Sequence, residues 1–110
     1  MNTKRFALTV LALVIGIALV CPRAAAEDAA ALYKSKCAAC HGADGVATAT
    51  GQKLKARDFS SPEVMKLTEA QMIEVTAKGK EKMPAYDKKL DAEQIKSLVA
   101  YVRTLAKAKK

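Results

Sequence analysis

Cys37, Cys40 and His41 stand within five residues in the stretch "KSKCAACHGADG", and His41 is the only histidine of the 110-residue chain. Two thiols and one imidazole so closely spaced admit three chemistries: a redox disulfide, part of a zinc site, or a covalent attachment point for haem. Each requires different surroundings, so this pentapeptide restricts the fold more than any other feature. A structural zinc site needs four ligands, usually as two separated pairs, and the stretch offers three unless carboxylates complete the set. A thioredoxin-like disulfide needs Cys-x-x-Cys after a strand and at the start of a helix, where the dipole stabilises the thiolate. A plain Cys37–Cys40 disulfide closes a very short loop, adds little stability and leaves His41 unexplained. Haem attachment uses all three residues: both sulfurs form thioethers to the vinyl groups while the adjacent imidazole reaches the iron.

The start of the chain bears on this choice. "MNTKR" places Lys4 and Arg5 before an uncharged, mostly apolar run at residues 6–20, and Ala24-Ala25-Ala26 follow. The run is shorter than the roughly 20 residues of a bilayer span, which reads as a secretory signal cleaved after Ala26. An uncleaved membrane anchor is the alternative. Val20 is bulky where a small residue precedes a lipidated cysteine, so Cys21 is expected to leave with the signal segment. Residues 27–110 then form one exported, periplasmic domain of 84 residues. A protein-only core is marginal at that size, and aromatic residues make up only 5% of the chain, with no Trp. A macrocycle supplies the large apolar body that such a core lacks. Without Lys4, Arg5 and Arg23 the net charge falls from +8 to +5. A moderately basic exported domain suits acidic protein partners, and nothing in it resembles a nucleic-acid-binding helix.

The remaining pattern is helical. "EDAAALYKSKCAAC" reads as a helix with Asp28 as N-cap and Cys37 near its end. Gly42, Gly45 and Gly51 mark residues 41–59 as a loop. Ser61, Pro62 and Glu63 open a short helix, and Thr68 with Gln71 forms a capping-box pattern that starts a third, stopped by Gly79. Leu67 with Met72 and Leu90 with Ile95 stand at staple positions. Pro84 makes "EKMPAYDKK" a loop. Asp91 and Gln94 cap the last helix, where Ile95, Leu98, Val99, Val102 and Leu105 form one apolar stripe. No segment alternates at period two, so the expectation is an all-α domain of about four helices.

A haem iron needs a second axial ligand, and with no other histidine methionine sulfur is the candidate. Met65 and Met72 lie on expected helices and read as core filler. Met83 lies in a loop before Pro84, where the fixed backbone can present sulfur into a cavity.

Together "CAACH", "KMPAY" and "LVAYVRTL" resemble a small bacterial class I cytochrome c, from about Ala29 to Leu105. The resemblance implies the cytochrome c fold around one covalent haem c, with Cys37 and Cys40 as thioether sites, His41 as proximal iron ligand and Met83 as distal ligand. It also implies that Ala29 and Tyr33 on the first helix pack against Leu98 and Tyr101 on the last. Two departures stand out: Ala29 replaces a frequent glycine at the crossing, and no proline lies between His41 and Pro62. A loop proline often marks the segment whose carbonyl orients the proximal imidazole. Gln52, Lys53 and Arg57 are the candidates for the haem propionates.

The function implied is a monomeric one-electron carrier between redox proteins, not an enzyme, because two axial ligands leave no open site for a small-molecule substrate. Lys78, Lys80, Lys82, Lys88 and Lys89 bracket Met83 and are expected to steer it onto acidic docking faces. The alternatives are a haem-based sensor with a labile methionine ligand and a disulfide-redox protein without haem.

Overall fold

A computed structural model describes residues 22–108, with side chains from residue 28 onward. Most of the expected signal segment, including Cys21, lies outside the described residues. Among the described residues six helices follow one another: α1 (Pro22–Lys36), α2 (Ala38–His41), α3 (Ala49–Lys53), α4 (Pro62–Met65), α5 (Glu69–Lys78) and α6 (Ala92–Ala108). Among the described residues there is no strand, only an isolated bridge between Lys80 and Met83. The expected all-α class is observed, with six helices rather than four.

The differences are local. α1 is helical from Pro22, the first described residue, so Asp28 lies inside it instead of capping it. The alanines before Asp28 are strong helix formers and nothing interrupts them. The helix pauses at Cys37 and resumes as the single turn α2. The expected loop at residues 41–59 contains α3, capped by Thr48, whose hydroxyl accepts from the Gly51 N–H at 3.1 Å. α4 starts at Pro62, but the Ser61 hydroxyl does not cap it and is buried without a hydrogen-bond partner among the described residues. The two longer caps form as the spacing predicts. Thr68 and Gln71 exchange both capping-box bonds, at 2.9 and 3.1 Å. Asp91 and Gln94 do the same, at 2.9 and 2.7 Å.

α1 crosses α6, and α5 packs against α6 beside it. Ala29, Tyr33 and Leu98 are each no more than 2% exposed, and the Tyr33 and Tyr101 rings sit 5.2 Å apart. The four residues expected at the crossing are packing residues. Tyr33 also makes a polar contact: its hydroxyl donates to the Gly42 carbonyl at 2.6 Å, tying α1 to the chain just after His41. Phe59, Leu90, Ile95 and Ala106 complete the buried cluster, with Val64, Ile73 and Ala77 packed on it. Burying such apolar side chains contributes roughly 1.5–3 kcal/mol each. Met65, expected in the core, is 45% exposed. α4 is one turn, and with Val64 facing the cluster its neighbour Met65 turns outward.

Candidate haem-binding site

The two halves of the candidate site arrive from opposite directions. α1 and α2 deliver Cys37, Cys40 and His41, while the segment between α5 and α6 delivers Met83. All four line one cavity of about 400 Å³, within the range of roughly 300–1,000 Å³ typical of ligand sites. Its walls are largely apolar: Leu54, Val64, Leu67, Val75, Val99 and Val102 contribute, besides Tyr33, Phe59 and Leu98 from the core.

The attachment segment is held by its backbone. The His41 N–H donates to the Cys37 carbonyl at 2.9 Å and the Cys40 N–H to the same oxygen at 3.2 Å. From the other side, the Thr48 hydroxyl donates to the Ala39 carbonyl at 2.7 Å, and the Thr48 N–H to the Cys40 carbonyl at 3.0 Å. α3 therefore docks on α2 through a threonine and the tight approach of Gly51. The Cys37 and Cys40 thiols are free and half-buried, and burial pushes the Cys37 thiol above its ordinary pKa.

His41 is half-buried, and burial lowers its pKa, which keeps the imidazole neutral with a lone pair to share. Its ring stacks on Phe59 with centroids 4.8 Å apart and planes at 28°. Its Nδ1 is buried with no hydrogen-bond partner among the described residues. Among the described residues no acceptor for the His41 ring N–H is found, and the contact that constrains the ring is the Phe59 face.

Met83 sits at the end of a tight turn. Lys80 and Met83 exchange backbone bonds at 3.2 and 2.9 Å, and Glu81 between them adopts a left-handed φ of 55°. Gly79 has a φ of 76°, and a Cβ there would lie 2.6 Å from the Met83 carbonyl oxygen, so only glycine fits between α5 and this turn. Met72, expected as core filler, also lines the cavity, on α5. Sequence position alone did not show that the buried face of α5 turns toward the cavity as well as toward α6.

At the rim stand Lys55 and Arg57, the latter paired with Glu63. Of the three residues expected near the propionates, Arg57 lines the cavity and the other two do not. Gln52 donates to the Ala47 carbonyl at 3.3 Å, and Lys53 is exposed on α3. Lys55 was missed; its left-handed φ of 63° carries its side chain to the rim, and nothing in the sequence signals that backbone. Lys80 and Lys82 also reach the lining, while Lys78, Lys88 and Lys89 are exposed nearby in sequence.

The donor set suits haem c. An apolar cavity collects two thiols, a neutral imidazole and two thioethers, with cationic side chains at its edge. Among the described residues no cluster of His, Cys, Asp and Glu is arranged to hold a bare metal ion.

Comparison with known proteins agrees. Residues 24–102 match the family model described as cytochrome C oxidase, cbb3-type, subunit III. The solved structure of the KustC0563 c-type cytochrome is 38% identical, with a TM-score of 0.67, covering 71% of this chain and 96% of that one. A tyrosine-to-phenylalanine variant of Kustc0563 is 36% identical, with a TM-score of 0.66, covering 71% and 98%. No curated protein matches the chain. With the family model spanning most of its length and c-type cytochromes sharing its fold, the chain belongs to the cytochrome c family represented by subunit III of cbb3-type oxidases, an all-α haem c electron carrier that works with redox partner proteins.

Proposed function

We propose that the protein is an exported one-electron carrier in which Cys37 and Cys40 hold one haem c as thioethers, His41 is the proximal iron ligand and Met83 the distal one. The observation that supports this most is that all four residues line the same apolar cavity, although Met83 comes from a separate segment of the chain. Bound there, haem c supplies a one-electron couple, and a methionine sulfur on the iron favours its reduced form.

The residues of the chain do the rest. Burial keeps His41 neutral, and Phe59 fixes the plane of its ring. The apolar walls exclude water from the ligands, which raises the cost of charge inside the cavity. Lys55 and Arg57 offer cationic partners for carboxylates at the rim. With His41 and Met83 both holding the iron, no position would be left on it for a substrate, and the protein would act as an electron carrier. Export rests on the pattern of residues 1–26, and no helix among the described residues is long and apolar enough to cross a membrane.

Met83 is favoured over Met72 because its turn is pinned on both sides, by the paired Lys80 and Met83 backbones and by Gly79. Replacing each methionine by alanine decides between them. In the oxidised holoprotein, Met83→Ala should abolish the weak far-red absorption band of iron–methionine coordination, and Met72→Ala should retain it. The opposite result would transfer the ligand role to Met72. Retention of the band in both variants would assign the sulfur to neither residue alone, and its absence from the wild type would remove methionine ligation altogether.

A further inference from the structure

We infer that Tyr86 is a positioning residue for Met83, a latch whose hydroxyl holds the methionine segment against the end of α1. The inference rests on Met83 being the distal ligand, as proposed above.

α1 ends at Lys36, and the last carbonyls of a helix have no partner within it. Had the helix continued, the Lys36 carbonyl would accept from the Cys40 N–H. That N–H goes to the Cys37 carbonyl instead, because the chain tightens at Cys37 to begin α2. The Tyr86 hydroxyl supplies the missing donor, reaching the Lys36 carbonyl at 3.1 Å from fifty residues further along the chain. Its acceptor is thus the residue immediately before the first cysteine of the attachment segment.

The tyrosine is fastened on its other sides as well. Its N–H is shared between the Thr76 and Ala77 carbonyls of α5, both at 3.1 Å. Its own carbonyl accepts from the Lys89 and Leu90 N–H groups at 3.0 and 2.9 Å, which leads the chain into α6. The ring lines the cavity and packs on the hydrophobic cluster. Only Pro84 and Ala85 separate it from Met83, and the proline ring fixes φ at one of the two. A short, stiff connection means that Met83 cannot swing out of the cavity without pulling on Tyr86. The backbone bonds anchor the segment to α5, and the hydroxyl bonds it to the last residue of α1. Phenylalanine keeps the ring and every backbone bond, and removes only the link between the distal segment and the attachment segment.

A net hydrogen bond present with the methionine in place and absent when it leaves shifts that equilibrium about five-fold. The test compares wild-type holoprotein with Tyr86→Phe. Carbon monoxide binding to the reduced protein requires the methionine to leave, so the variant should bind it about five-fold faster, and its far-red band should fade at a lower temperature. A residue that merely packs would leave both unchanged once the variant is folded. Rates and band temperatures equal to wild type would overturn the latch. Should Tyr86→Phe yield no holoprotein, amide exchange in the wild type takes its place. The Met83 and Tyr86 N–H groups should then exchange together through an opening with the same equilibrium constant as methionine release. Exchange only through global unfolding would overturn the proposal. A wild-type protein without the far-red band would instead refute Met83 as ligand, which keeps the two failures distinct.

Discussion

Gly51 is where two ordinary rules give opposite signs. It lies within α3, is buried, and has no left-handed backbone to protect. By helix propensity alone, Gly51→Ala should stabilise the protein by about 0.5–1 kcal/mol. The structure reverses this. A Cβ built there would overlap the Cys40 carbonyl oxygen and lie 2.8 Å from its carbon and 3.2 Å from its Cα. These are backbone atoms of the attachment segment, fixed by the Thr48 bond to the same carbonyl at 3.0 Å. They cannot rotate aside as a side chain would. Overpacking of this kind costs about 1–3 kcal/mol, and a rigid backbone partner places Gly51→Ala near the upper end. Less the propensity gain, the net loss is about 2 kcal/mol. A small domain loses stability in urea at about 1 kcal/mol per molar, so the midpoint should fall by roughly 2 M, followed by far-ultraviolet circular dichroism of the holoprotein. Haem incorporation should fall with it, because the displaced residue, Cys40, is one of the two proposed thioether sites. A midpoint raised above wild type would show that α3 does not press on Cys40, and that the attachment segment is held in some other way.

Two further outcomes follow from the charges and the buried hydroxyl. Burial, with smaller contributions from Cys37, Tyr101 and Asp44, raises the Tyr33 pKa above its ordinary value near 10. Above pH 10 the unfolded chain therefore binds fewer protons than the folded one, so the stability from this group is complete below pH 10 and lost as the pH rises beyond it. Tyr33→Phe should cost about 1 kcal/mol at neutral pH through the lost bond to Gly42 and show a shallower alkaline decline than wild type; equal declines would refute the assignment. Replacing Lys78, Lys80, Lys82, Lys88 and Lys89 by glutamate should slow electron transfer to an acidic redox protein by roughly ten-fold or more at low salt, with the gap closing as salt rises. An unchanged rate at low ionic strength would remove these lysines from the docking face.

Much of the candidate site is legible because the chemistry proposed for it is written locally. Cys37, Cys40 and His41 adjoin in sequence, and their spacing carries meaning before any fold is known. The Thr68 and Asp91 caps and the stripe on α6 were equally readable, since capping and amphipathicity act over one or two turns. What the sequence concealed depends on distant contacts. α3 is five residues long with a glycine inside it, too short to be stable alone, and it forms because Thr48 and Gly51 dock on α2. The outward turn of Met65 and the cavity-facing position of Met72 depend on which face of each helix meets its neighbours. Lys55 reaches the rim through an unusual backbone angle, and Tyr86 finds its acceptor fifty residues away. Neither leaves a local signature. Asp28 failed as a cap for a different reason: several residues can begin a helix, and the alanines before it extend the helix to Pro22.

Electron transfer by this protein depends first on the covalent bond between the chain and its cofactor. Protein exported from a host with cytochrome maturation machinery, digested and weighed peptide by peptide, should show one haem on the fragment containing Cys37 and Cys40, and an intact Soret peak should survive denaturation in acid. A fragment of bare peptide mass, or a pigment that washes away once the chain unfolds, would contradict it.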